Sequence, residues 1–297
     1  MIISRGERIY RNACALIATM VALVCLYPLI YVVFVSLTTS EEWVSRGGII
    51  WFFPSKPTLV AYQKILGSSV VILRSVFVSF IRTVLGTFLG LAVNALTAFV
   101  LSRKDLPGKK PIMYIILFTI LFSGGLIPGY LTIEALGLKN NIMALIIPTL
   151  FNGWNILIFK QFFEGIPKEL EDSARIDGVS EVGLFFRIII PSSKAVFAAI
   201  GLFTMVGHWN SWFDASIYID ASHQHLWPLQ LFVKINLENT SGLNQGGLDF
   251  LINNNTAVGD ITMQMALTVV SLLPMLIIYP FFQKYFTKGV YLGAVKG

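Results

Sequence analysis

The chain has 297 residues, of which 55% are apolar and only 13% charged. A soluble protein carries roughly a quarter of its residues charged to dress its surface, so this composition excludes a soluble domain, and with it disorder, a collagen-like repeat, a coiled coil and a disulfide scaffold. The net charge of +6 speaks first to membrane topology and only then to nucleic acid, because Lys and Arg gather on the cytoplasmic side of a bilayer.

Crossing the hydrocarbon core takes about 20 apolar residues in a helix. Six runs qualify, at about 13–37, 82–101, 111–132, 142–163, 195–219 and 261–282. They are continuously apolar rather than alternating, which predicts helices and not a barrel. The fold class is therefore all-α: a polytopic integral membrane protein with six transmembrane helices.

The first run follows Arg5, Arg8 and Arg11, as a signal peptide would. It is too long for a signal core and no small-x-small site follows, so it reads as a retained anchor. Cys14 and Cys25 lie within it, about 16 Å apart along a helix, too far to bridge. The second run lies within Val70 to Leu101 and opens with Arg74 and Arg82. The simplest reading has this helix start in the outer aqueous region, the crossing beginning near Arg82; the alternative is a charged pathway. Pro28, Gly124, Gly125, Pro128, Pro148, Gly207, Pro274 and Pro280 interrupt several spans. They serve either close helix packing or kinks that move in a transport cycle.

Charge sets the orientation. With the N-terminus inside, the segments 1–12, 102–110, 160–194 and 284–297 hold 15 basic residues, against five in 38–69, 134–141 and 220–260. Both termini are predicted cytoplasmic. The outer segment 236–260 is rich in Asn and Gly and long for a simple connection, which suits a binding loop.

The inner segment from Glu164 to Pro191 reads as helix, turn, helix. Pro167 suits a first helical position. Glu169, Glu171 and Asp172 complement the positive end of the helix dipole. Gly178 suits the C-terminal turn, and Ser180 caps a second helix. Val182, Phe185, Phe186 and Ile189 recur at helical spacing as one apolar face. A capped acidic helix of this kind is a docking element in form, although a loop that merely returns the chain accounts for it equally well.

This stretch resembles the EAA loop of bacterial ABC importer permeases, a Glu-Ala-Ala, three residues, Gly, nine residues, Ile-x-Leu-Pro pattern. Asp172, Ser173 and Ala174 stand at the first three positions, Gly178 after three more, and Ile188-Ile189-Ile190-Pro191 after nine more. Asp172, Ser173 and Ile190 depart from the pattern conservatively. The stretch from Trp209 to Ile219 and the tail from Tyr285 to Gly297 resemble the sugar-importer branch, in particular the smaller permease of maltose transporters. A subgroup importing oligosaccharides from acidic or complex polysaccharides, alginate importers among them, is most similar. The resemblance covers most of the chain from about Val70 onward.

It implies a type I ABC importer permease fold, a single transmembrane permease domain over 1–297 with a coupling loop at 164–191, an outer-face loop at 220–260 and a cytoplasmic tail at 286–297. The implied function is a subunit that moves a sugar or oligosaccharide into the cytoplasm. Glu169, Glu171, Asp172, Ser173, Ala174, Arg175, Asp177 and Gly178 would contact a cytoplasmic ATPase. Asn244, Gln245, Asn253, Asn254 and Asn255 would touch an extracytoplasmic substrate-binding protein. Polar and aromatic residues inside spans four and five, Asn152, Trp154, Asn155, Trp209, Asn210, Trp212 and Asp214, are candidates for the substrate path; interface anchoring and helix gluing account for some of them equally well.

The chain contains no GxxxxGK[ST] phosphate loop, so ATP and Mg belong to partner chains, the chain itself binding no cofactor and being no enzyme. His223, His225 and Asp220 make only a weak HxH metal pattern, and no metal is expected. The implied partners are a second, non-identical permease, two copies of the ATPase, the binding protein, sugar and membrane lipid, with no nucleic acid. The implied location is the bacterial cytoplasmic (inner) membrane. Competing readings are an ABC permease for an amino acid, phosphate or polyamine, a membrane-embedded enzyme, and a passive channel.

Overall fold

The computed structural model describes residues 5–67, 70–239 and 260–294, and their side chains except at 239, 260 and 282–294. In chain order the helices are α1 (Arg5–Ser36), α2 (Ser40–Ser45), α3 (Val60–Gly67), α4 (Val70–Ser102), α5 (Lys109–Leu121), α6 (Leu126–Ala135), α7 (Gly153–Glu164), α8 (Lys168–Ile176), α9 (Glu181–Ser192), α10 (Lys194–Asn210), α11 (Phe213–Tyr218), α12 (Leu229–Asn239) and α13 (Asp260–Ala294). Short 3-10 segments fill Ile142–Thr149 and Ala221–Leu226. No strand occurs among the described residues.

Among the described residues, three helices are long and apolar enough to cross a membrane: α1, α4 and the Ile261–Phe281 part of α13. The other expected spans are broken rather than continuous. α5 and α6 meet at 115°, Ile142–Thr149 and α7 at 47°, and α9 and α10 at 82°. Counting each bent pair as one span gives up to six. The run expected at 111–132 breaks at Phe122–Gly125, where Gly124 and Gly125 stand. The run expected at 195–219 ends its helix at Asn210 and resumes at Phe213. Pro28, Pro274 and Pro280, by contrast, sit inside continuous helices.

The chain divides into two compact units. One joins residues 1–70 to 233–273. Within it Ser36 and Tyr62 share a 2.6 Å hydrogen bond, the Thr262 hydroxyl donates to the Thr38 carbonyl at 3.2 Å, and the Gln264 amide donates to the Asn236 carbonyl at 3.1 Å.

The other unit, 71–232 with 274–297, holds every candidate residue whose side chain is described, and α4 is its spine. The buried side of α4 reads Ser75, Ser79, Arg82, Thr83, Gly86, Thr87, Gly90, Asn94, Ala95 and Ala98. Its exposed side carries Phe77, Phe80, Val84, Phe88 and Val100. Ile72, Val78, Phe99 and Leu101 are buried as well, but small and polar groups make up most of the inward side, as where membrane helices pack closely. Arg82, near which the crossing is expected to begin, is 1% exposed, inside the protein.

Those inward polar groups meet the breaks in neighbouring helices. Asn94 donates to the Leu150 carbonyl at 2.9 Å and accepts the Asn152 N–H at 2.8 Å, satisfying the break before α7. Ser79 accepts the Leu229 N–H at 2.8 Å, at the start of α12. Arg82 donates to the Ser211 carbonyl at 3.0 Å, between α10 and α11. A broken helix in hydrocarbon leaves backbone groups that something must satisfy, and here the unbroken helix does so.

Candidate functional site

The first candidate region is the hairpin of α8 and α9. α8 begins at Lys168 with Pro167 at the cap position, one residue later than the sequence suggested. Ala174 is buried, 5% exposed, against a cluster that includes Phe99, Phe163, Leu184 and Phe185. Gly178 takes φ +75°, a left-handed conformation that glycine adopts without strain. The Val179 N–H then reaches the Ala174 carbonyl at 2.9 Å and the Gly178 N–H reaches Arg175 at 3.0 Å, the Schellman closure of a helix. Ser180 accepts the Gly183 N–H at 3.2 Å as expected of a cap.

The apolar face expected at Val182, Phe185, Phe186 and Ile189 is rearranged. Phe185–Ile189 form a π turn, which inserts an extra residue into the helical register. Leu184, Phe185 and Ile189 are buried, whereas Val182 and Phe186 are 68% and 59% exposed.

Electrostatics divide the hairpin's residues into two sets. Glu171 is turned inward, bonded to Arg103 just beyond α4. Arg175 reaches Glu181 at 3.0 Å, Glu171 at 3.7 Å and Asp172 at 3.5 Å. Glu169, Asp172, Ser173, Asp177 and Gly178 are exposed, and Ile176 is 86% exposed. Behind the hairpin lies a cavity of about 590 Å³ lined by Arg103, Lys109, Glu164, Lys168 and Asp172 among others. Glu164 lies between Lys160 at 2.8 Å and Lys109 at 3.2 Å. Burial pushes its carboxyl up, but the two ammonium groups outweigh that and hold it below the ordinary range.

The second candidate region is a cavity of about 300 Å³ lined by Arg82, Thr149, Asn152, Asn155, Phe203, Thr204, Gly207, His208 and Ser211. Of the seven path candidates, Asn152 and Asn155 are in its wall. Trp154 is 63% exposed, Trp209 is 3% exposed in the interior, Asn210 is exposed, and Trp212 packs edge-on against Phe213 at 5.7 Å. Asp214 is the ion-pair partner of Arg82 and also accepts the Ser211 hydroxyl and the Ala215 N–H, both at 2.9 Å. Sequence reasoning missed Thr149 and Thr204, whose hydroxyls are unremarkable in an apolar run. His208 packs on Gly86, where an added Cβ would lie 2.4 Å from its Nε2.

On the loop expected to face outward, Asn140 takes φ +58°. Its side chain donates to the Asp220 carboxylate at 2.8 Å and accepts the Asp220 N–H at 2.7 Å. Lys139 pairs with the same carboxylate at 3.3 Å. The Asn140 amide first, then Lys139, hold the Asp220 carboxyl below its ordinary range. The rings of His223 and His225 are 5.8 Å apart, and no group of three metal-ligating residues forms among the described residues. Asn244, Gln245, Asn253, Asn254 and Asn255 lie outside the described residues.

No family model matches the chain. It is 41% identical over 278 residues to the polygalacturonan/rhamnogalacturonan transport system permease protein YtcP of Bacillus subtilis (strain 168), covering 94% of this chain and 95% of that protein. It is 27% identical over 291 residues to the arabinooligosaccharides transport system permease protein AraQ of the same organism, 97% of each being covered. A chain from the crystal structure of a bacterial ABC transporter involved in the import of the acidic polysaccharide alginate matches with a TM-score of 0.85 at 28% identity, over 96% of this chain and 99% of that one.

Proposed function

Because the chain belongs to the family of sugar-importing ABC-transporter permeases, we propose that it is a bacterial inner-membrane subunit importing acidic oligosaccharides, driven through the α8–α9 hairpin by ATPase chains. With α10 as the fifth of six spans and α9 in the inner hairpin, both termini lie on one side, and the excess of basic residues in the inner segments assigns that side to the cytoplasm. A second permease completes the passage. A substrate-binding protein delivers the sugar to the outer face, where 220–260 and its residues Asn244, Gln245, Asn253, Asn254 and Asn255 meet it. ATP and Mg are held by two copies of the ATPase.

The observation that carries this reading is the hairpin's division of labour. Glu171 and Ala174 are occupied inside the chain, while Glu169, Asp172, Asp177 and the 86% exposed Ile176 stand outward. A nearly bare isoleucine on a short helix whose exposed residues include three carboxylates has the form of a docking surface. Ser173, Arg175 and Gly178 shape it. Movement of the ATPases shifts the hairpin, and the helices around the 300 Å³ cavity change access from one side to the other.

The substrate class follows from that cavity and the relatives together. Asn152, Asn155, Thr149 and Thr204 supply donors and acceptors for hydroxyls. Among the described residues Arg82, in the cavity wall, keeps its Nε without a partner, one charged donor for a carboxylate or hydroxyl. The relative YtcP is a polygalacturonan/rhamnogalacturonan permease and the structural neighbour comes from an alginate importer, both acidic polymers. Trp154, Trp209, Asn210 and Trp212 flank the path outside this wall, and Asp214 orients Arg82.

Uptake of galacturonate oligomers against arabinose oligomers into cells carrying the intact transporter tests this. Preferential uptake of the acidic oligomers, abolished by Asp172→Lys, supports it. Uptake unaffected by Asp172→Lys contradicts the docking assignment, and preference for the neutral oligomers contradicts the substrate class.

A further inference from the structure

We infer that Arg103 is the positioning residue that ties the α8–α9 hairpin to α4, making α4 the strut along which hairpin movement reaches the cavity. The inference rests on the coupling role proposed for that hairpin. Arg103 follows the last residue of α4, and its guanidinium lies over the Phe99 ring with Cζ 4.1 Å from the centroid. It bonds Glu171 of α8 and stands 3.7 Å from Glu181 of α9. Arg175 closes the circuit, 3.0 Å from Glu181 and 3.7 Å from Glu171. Two cations and two carboxylates thus alternate around a ring that spans three elements.

Each other member of the ring belongs to the hairpin, so Arg103 is the ring's connection to the end of α4. The planar guanidinium, with its fixed fork of donors, can address two carboxylates at once and stack on an aromatic ring, which an ammonium cannot do. Below the ring, Phe99 and Phe185 are 5.0 Å apart, so the hairpin and the end of α4 are packed as well as paired.

The other end of the strut is fastened too. Arg82, about 31 Å away along the helix at 1.5 Å per residue, bonds Asp214 and the Ser211 carbonyl at the break between α10 and α11. Between them Asn94 holds the break before α7. Both Ser211 and Asn152 belong to the cavity wall. A displacement of the hairpin transmitted through Arg103 therefore arrives at the two places where the wall is not helical, and a break changes shape more easily than a helix.

The test uses the complete transporter in lipid vesicles, with Cys14 and Cys25, both exposed, replaced by Ser and a single cysteine at Asn155→Cys in the cavity wall. The rate of its modification by N-ethylmaleimide is read without nucleotide and with ATP and vanadate, alongside ATP hydrolysis. With Arg103 present, nucleotide should change the rate by about tenfold, the size expected when a ligand moves a two-state equilibrium most of the way across. Arg103→Ala should still assemble and hydrolyse ATP while the nucleotide response falls to under about twofold, and Arg103→Lys should recover part of it.

A purely structural role would lower hydrolysis and assembled complex together and leave the response of the surviving complex intact; that result, or a full response in Arg103→Ala, overturns the inference. Asp172→Lys separates the two levels. If it abolishes the response and Arg103→Ala does not, only the role of Arg103 falls. If neither abolishes it, or if nucleotide has no effect even with Arg103 present, the coupling reading of the hairpin falls as well.

Discussion

Arg82 and Asp214 form an ion pair whose two halves are unequally buried, and that asymmetry dictates unequal costs of breaking it. The side chains are 1% and 22% exposed. Asp214→Ala leaves a guanidinium enclosed in protein with the Ser211 carbonyl as its one remaining partner. An uncompensated buried charge costs about 3–5 kcal/mol. Arg82→Leu leaves a carboxylate that is one-fifth exposed and still accepts the Ser211 hydroxyl and the Ala215 N–H. Those two bonds and the partial hydration hold its cost to about 1.5–3 kcal/mol, that of a lost hydrogen bond to a charged group. Once Arg82 is gone, Asp214→Asn should add little, because the carboxylate no longer neutralises anything. The assay is reversible unfolding of the purified chain in mixed micelles for the two single variants and the Arg82→Leu/Asp214→Asn double variant. Equal costs for the singles, or a double variant as damaged as Asp214→Ala, would refute the argument that burial decides which partner is indispensable.

Further consequences are as direct. Asn94→Ala removes the partners of the Leu150 carbonyl and the Asn152 N–H; at about 1–3 kcal/mol per unsatisfied buried group, the same unfolding assay should show a loss of at least about 2 kcal/mol. Gly86→Ala drives a Cβ to 2.4 Å from His208 Nε2 and should depress uptake, with Gly86→Ala/His208→Ala recovering part of it. The depressed carboxyl of Asp220 makes its contact with Asn140 stabilising above the ordinary aspartate range and lost as pH falls through the lowered value. The Asn140 side-chain amide resonance should therefore hold steady through mildly acidic pH and move only below that range. Cysteine placed at Asn254 should react with an impermeant maleimide from outside intact cells; reaction only from inside would invert the topology.

How legible each feature was depended on how far apart its determinants lie in the chain. The Gly178 turn and the Ser180 cap are set by a few consecutive residues, and both are present as the local signals required. The face of the following helix was misread because a π turn at Phe185–Ile189 has no signature in hydrophobic spacing. Breaks at Gly124 and Gly125 were marked by the residues themselves. The break at Ser211 was not, because what sustains it is Arg82, 129 positions away. Arg82 marks the expected start of the crossing by its charge alone; that the protein encloses it and supplies Asp214 as partner is visible only in three dimensions. Asn94 is one amide in an apolar run, with nothing in the spacing to single it out, yet such residues are the ones that bind helices to one another. Glu171 shares its charge with Asp172, and only the three-dimensional path of α4 shows that one faces Arg103 while the other faces solvent.

The central claim is that this chain is the permease of an ATP-driven importer of acidic sugars, worked through the α8–α9 hairpin. Its most direct test is isolation of the chain from its native membrane in mild detergent, followed by identification of associated chains and an ATPase assay with the cognate binding protein and galacturonate oligomers. Recovery with a second permease and an ATPase, with hydrolysis stimulated by the sugar-loaded binding protein and lost in Asp172→Lys, is the predicted result. Recovery of the chain without an ATPase, or hydrolysis indifferent to both sugar and Asp172→Lys, would contradict it.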